Sequence, residues 1–128
     1  MLDIAITGTG IVSALGCEVG GFHRRLMAGE VAIRPAPWTV PGRAAWWGTV
    51  ADFRARAWMD PQIDSGTDLF AQSALAAAEQ AMRQAGLGEP DPERTGVVHG
   101  TSIGGARAVM KAQYLLDSNG PDAIPRKT

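Results

Sequence analysis

Apolar and polar positions recur with different periods along this chain, and each change of period predicts an element. Asp3-Ile4-Ala5-Ile6-Thr7 is a short apolar, β-branched run that stops at Gly8-Thr9-Gly10. Its inner residues suit burial on both faces of a sheet, which predicts a strand. Over residues 18–28, Val19, Phe22, Leu26 and Met27 recur at helical spacing while Arg24 and Arg25 point elsewhere, and Gly29 stands where helices commonly stop. A short amphipathic helix follows from that pattern. Residues 30–66 lose any regular period: Pro35, Pro37, Pro41 and Pro61 interrupt, and Trp38, Trp46, Trp47 and Trp58 supply bulky anchors, so this stretch reads as a long excursion with one short strand near residues 47–50. Thr67 or Asp68 can cap an alanine-rich helix that runs to about Ala85 and ends at Gly86. Residues 87–94 are rich in turn formers and lead into a second apolar run, residues 95–100, read as a strand. Gly104-Gly105 then opens a last helix through Leu116, closed by Ser118-Asn119-Gly120-Pro121.

The order strand, helix, excursion, helix, strand, helix favours a mixed α/β layer over a helical bundle. Two short strands with three helices leave sheet edges unpaired and apolar faces uncovered, so further chain, a partner subunit or both are expected to complete the fold.

Composition narrows the function classes. The chain has 128 residues, 45% of them hydrophobic, with Lys+Arg at 12 against Asp+Glu at 13. A net charge of -1 offers no basic surface for a phosphate backbone, so nucleic acid is not an expected partner. No apolar run approaches the roughly 20 residues of a bilayer span, and the start Met1-Leu2-Asp3 lacks the basic region of a signal peptide. The reading is cytosolic, with no membrane. The single cysteine, Cys17, excludes an internal disulfide and a cysteine-based zinc site.

Two glycine turns and a few titratable groups are the candidates for chemistry. Gly8-Thr9-Gly10-Ile11-Val12-Ser13 follows an apolar run, as a dinucleotide fingerprint does, but Ser13 stands at the third glycine position and the next helix starts only near Glu18. Gly100-Thr101-Ser102-Ile103-Gly104-Gly105 lies directly between a predicted strand and a helix, where backbone amides can hold an anion; Ala106-Arg107 replaces the Lys-Ser/Thr pair of a phosphate loop. Its bland reading is a tight turn with Ile103 as an apolar plug. Cys17 precedes a helix, yet neither His23 nor His99 is near it in sequence, and a small buried residue explains it. Asp60, Asp64 and Asp68 are spaced by four, but Pro61 and Gly66 break the helix that would align them, so capping and solvation suffice.

Taken together, these segments resemble the amino-terminal third of the β-ketoacyl-carrier-protein synthase family, the elongating ketosynthases of fatty acid and polyketide pathways. The matching pieces are residues 6–16, then Phe22 with Leu26 and Ala28-Gly29, Gly48-Thr49-Val50-Ala51-Asp52-Phe53, residues 67–78, Ala85-Gly86-Leu87, Thr95-Gly96-Val97-Val98, and the turn at residues 100–105. The resemblance implies a thiolase-like fold layered α/β/α/β/α, of which residues 1–128 form an N-terminal portion that is incomplete alone.

It further implies a decarboxylative Claisen condensation of an acyl thioester with malonyl-carrier protein. In the family a cysteine carries the acyl group and two histidines assist loss of carbon dioxide; all three are expected beyond residue 128. No catalytic residue and no metal site is therefore assigned within the chain. No cofactor is implied, because the substrates ride on the phosphopantetheine of an acyl carrier protein. The implied partners are that carrier protein, the remainder of the ketosynthase and a second subunit, as a homodimer or as a heterodimer with a chain-length-factor subunit. What carries over onto this sequence is a substrate-binding turn, Thr101, Ile103 and Gly104, with Ile103 at the dimer interface and the closed end of the acyl tunnel, limiting acyl length by volume.

Departures from the family pattern keep an alternative open. The arginine that often precedes Met-Asp at the entry to the 67–85 helix is missing, and Gly66-Thr67-Asp68 stands there instead. A Thr-Asp entry also resembles the non-catalytic chain-length-factor subunits that shape the acyl tunnel of an active partner. His23 replaces the aromatic residue that usually follows Phe22. An independent small nucleotide-binding α/β protein, suggested only by the two glycine turns, is the third reading.

Overall fold

The computed structural model describes residues 3–38 and 41–124, apart from the side chains of Asp64 and Ser65. Four α-helices are found among these residues: α1 (Val19–Met27), α2 (Pro61–Gly66), α3 (Leu69–Ala85) and α4 (Ala106–Asn119). A hairpin of β1 (Ile33–Pro35) and β2 (Trp46–Gly48) forms the sheet, antiparallel with Arg34 opposite Trp47. Single 3-10 turns occupy Ala55–Ala57 and Pro121–Ala123.

Local chemistry accounts for the helices. Asp68 takes the N-cap of α3, its Oδ1 accepting from the Phe70 N–H at 3.1 Å, and Gly86 ends the helix with its N–H donated to the Met82 carbonyl. Between these caps, alanines at 74, 76, 77, 78 and 81 supply high helix propensity and a low surface for close packing. The short helix α2 lies inside the stretch expected to be irregular. Pro61 does not break it, because proline sits at the first helical positions where its missing N–H has no role, and Asp60 caps it by accepting from Gln62 N–H at 2.7 Å. β1 is likewise an addition to the expected single strand; Pro35 is accommodated at the end of an edge strand.

The two apolar runs expected to be strands, residues 3–7 and 95–100, are not strands. Neither takes part in a ladder, and among the described residues no backbone–backbone hydrogen bond joins residues 3–12 or 95–104 to another element. Ile4 is 96% exposed and Val98 fully exposed. The residue types are those of a buried strand, but a strand exists only with a partner, and these residues present none to each other. The layered α/β/α/β/α arrangement is accordingly not displayed by this chain.

Residues 8–11 instead lie against α3. A Cβ on Gly8 would fall on the carbonyl of Ala81, and one on Gly10 on the carbonyl of Ala77, one turn earlier. The missing side chains thus let the backbone rest on the helix backbone. Two glutamines of α3 then take the place of a neighbouring strand. Gln80 accepts from Ile11 N–H at 3.4 Å and donates to Ile11 C=O at 3.0 Å, while Gln84 Oε1 accepts from Thr9 N–H at 2.7 Å and from its hydroxyl at 3.1 Å. The following turn is closed by reciprocal Ser13 and Gly16 backbone bonds, and Arg25 of α1 donates to the Leu15 carbonyl at 2.7 Å. The hairpin leans on that turn, where Gly48 faces Ala14 and Ile33. Trp38 and Trp47 meet edge to face with centroids 4.5 Å apart, and Arg83 stacks over Trp58 at 5.5 Å.

Among the described residues only Ala76 is a fully buried hydrophobic. The accessible surface is 10624 Å² for a mass of 13.5 kDa. A compact monomer of that mass exposes roughly 6,500 Å², so about 4,000 Å² is left uncovered beyond the usual amount. One partner's share of a standard protein interface is about 800 Å². The excess is several times that share. No described helix is long and apolar enough to cross a membrane.

Candidate functional site

The second glycine turn, residues 100–105, sits where α3 begins and α4 begins. Gly105 is the N-cap of α4 with φ at 73°, a left-handed conformation that a side chain makes costly, so the sharp entry into the helix depends on glycine here. Gly104 is closely packed: a Cβ there would lie 2.8 Å from Phe70 Cζ, 2.9 Å from Phe70 Cε2 and 2.9 Å from Thr101 Oγ1. The Phe70 ring also stacks on the His99 ring, nearly parallel at 10° with centroids 5.3 Å apart. One aromatic side chain from the first turn of α3 therefore touches both legs of the turn.

Thr101 and Gly104 are thus brought together, against Phe70. Ile103 is not part of that contact; its side chain is 76% exposed at the outer bend of the turn. Beside the turn runs an open groove of about 680 Å³ between the start of α3 and α4. Its walls are mainly apolar, with Phe70, Ala71, Ala108, Val109, Ala112 and Leu116, and Thr67, Asp68 and Gln113 provide its polar points.

Other candidates resolve into structural roles. The glycines of Gly8-Thr9-Gly10 face α3, and α1 starts only at Val19, so no helix N-terminus meets that turn as a dinucleotide site requires. Asp60 and Asp68 each cap a helix, and Asp64 lies outside the described side chains. No group of three His, Cys, Asp or Glu is gathered among the described residues. Cys17 is a free, half-buried cysteine just before the N-cap of α1. Thr101 and Gly104 enter the site through the family resemblance, the glycine spacing alone giving only a tight turn, and neither assigns a role to Phe70 or to its contact with His99. The available signal was the position of Phe70 two residues after a capping aspartate, which fixes where its ring emerges from the helix.

Comparison with known proteins shows what the chain is similar to. The family described as "Beta-ketoacyl synthase, N-terminal domain" matches residues 1–125. The chain is 35% identical to "3-oxoacyl-[acyl-carrier-protein] synthase 2" of Rhizobium meliloti (strain 1021), over 97% of this chain and 32% of that protein. It is 33% identical to the protein of the same name from Coxiella burnetii (strain RSA 493 / Nine Mile phase I), over 94% of this chain and 30% of the relative. A Streptomyces cyaneus protein named as a polyketide beta-ketoacyl synthase is 30% identical over 91% of this chain and 29% of its own length. The chain spans about a third of the length of the curated relatives it matches.

Proposed function

Because the chain belongs to the β-ketoacyl synthase family through its N-terminal domain, we propose that it forms the amino-terminal portion of a ketosynthase acting in fatty acid or polyketide biosynthesis. The observation that carries this reading is the family match over residues 1–125, which takes in both glycine turns and all four helices. The uncovered apolar faces support it as well, since they are the faces that the rest of such a fold would close.

The reaction is a decarboxylative condensation. A cysteine thiolate of the complete enzyme takes the acyl group from a carrier thioester. Loss of carbon dioxide from malonyl-carrier protein leaves an electron pair on the α-carbon, which attacks the acyl carbonyl. A carbon–carbon bond forms, the carbon–sulfur bond to the enzyme breaks, and the thiolate leaves. The cysteine and the two histidines belong to parts of the fold outside residues 1–128. This chain contributes the turn of Thr101, Ile103 and Gly104 to the closed end of the acyl tunnel, beside a second subunit. Acyl carrier protein presents both substrates. Ile103 has the exposed apolar side chain that such a position demands before the second subunit covers it.

Mass spectrometry of the complete protein after incubation with an acyl-carrier thioester tests the reading. An acyl adduct on a cysteine, followed by a 3-oxoacyl product when malonyl-carrier protein is added, is the expected result. An unmodified protein and no product would overturn it and point to the non-catalytic partner role.

A further inference from the structure

One side chain, Phe70, meets both ends of the turn at residues 100–105. Its face stacks on His99 at 5.3 Å, before the turn, and its edge stands against Gly104, after it. The Phe70 backbone is anchored in the first turn of α3, where its N–H donates to Asp68 Oδ1 at 3.1 Å. Two ends of one turn meeting the same ring cannot move apart without losing one contact or the other.

We propose that Phe70 is a positioning residue that clamps the Thr101–Gly105 turn and so sets how far Ile103 projects, and with it the longest acyl chain the enzyme admits. This rests on the reading of the turn as the closed end of an acyl tunnel and adds to it the residue that holds the turn in place. Glycine at 104 is part of the clamp, since any larger residue there meets the ring edge and the Thr101 hydroxyl. Phe70 acts through the turn and touches no reacting atom.

The test uses the complete ketosynthase with Phe70→Leu, Phe70→Ala and Phe70→Tyr, each with and without Gly104→Ala. Hydrogen exchange of the peptide containing residues 99–105 is the direct readout. Exchange there is expected to rise about tenfold in Phe70→Ala, less in Phe70→Leu, and also in Phe70→Tyr, whose added hydroxyl on Cζ enters the contact with Gly104, with the α3 amides unchanged. Gly104→Ala is expected to disturb the turn when Phe70 is present and much less when the ring has been removed, a non-additivity that a general loss of stability does not produce. Product analysis of the single Phe70 variants is the second readout: loosening the turn lengthens the longest 3-oxoacyl product relative to the parent enzyme. Unaltered exchange and additive effects of the two sites overturn the clamp. A slowed turn-over of all chain lengths alike, with unchanged product length, overturns its role in specificity. Absence of any condensation by the wild-type enzyme overturns the proposed function and the specificity role with it, while exchange and coupling still decide the clamp.

Discussion

Replacing Gly10 by alanine separates close backbone approach from mere turn formation. The added methyl would sit on the Ala77 carbonyl and 2.9 Å from Gln80 Cβ, neither of which is the free end of a flexible chain. The segment at residues 8–11 must therefore lift off α3. Overpacking of this kind costs about 1–3 kcal/mol. Lifting also breaks the two bonds between Gln80 and Ile11 and strains those between Gln84 and Thr9. Each is worth about 1 kcal/mol net, so the whole substitution is expected to cost roughly 3–5 kcal/mol. Gly66→Ala is the matched control, because nothing lies within 4 Å of a Cβ at that position. It should stay within about 0.5 kcal/mol of the parent. Urea unfolding of the complete protein, followed by tryptophan fluorescence, measures both from the shift of midpoint at constant slope. If Gly10→Ala falls within the range of Gly66→Ala, the glycines are not there for contact with the helix and the reasoning fails.

Substitutions at four further positions examine separate links of the account. Gln80→Ala should cost about 2 kcal/mol and Gln84→Ala about 1 kcal/mol in the same unfolding assay, because Gln80 serves both backbone groups of Ile11 whereas Thr9 lies where water can replace its partner. Asp68→Ala should cost about 1 kcal/mol by removing the α3 cap, and Asp68→Asn should restore most of it; equal losses in both would point to charge rather than capping. Ile103→Trp should shorten the longest acyl chain accepted by the complete enzyme, read by mass spectrometry of the 3-oxoacyl products, because a close-packed wall yields little volume. Unchanged product length would place Ile103 away from the tunnel.

How far the fold could be read from the residues depended on whether the determining contacts were local. α1, α3 and α4 were legible because spacing, Asp68 and the glycines after each helix act within a turn or two of the chain. The helix α2 is not legible in the pattern, because proline reads as a breaker until its place at a helix start is known. Ile4, Ile6, Val97 and Val98 were correctly recognised as apolar, but strand formation is a property of a pair of segments, and the residues alone do not supply the partner. In the same way, the glycine pattern marks a tight turn at residues 100–105 and the family resemblance adds Thr101 and Gly104 as its binding residues, whereas the Phe70 ring that joins His99 to Gly104 is a tertiary contact with no period in the sequence.

The central claim is that the exposed faces of this chain are interior surfaces of a ketosynthase. Hydrogen exchange compared between residues 1–128 alone and the complete enzyme tests it most directly, at Ile4, Ile6, Val97 and Val98. These amides should exchange nearly unprotected in the isolated chain and at least about a hundredfold more slowly in the complete enzyme, where a paired sheet covers them. Equal, strong protection in the isolated chain, with cooperative unfolding as a monomer, would contradict the account.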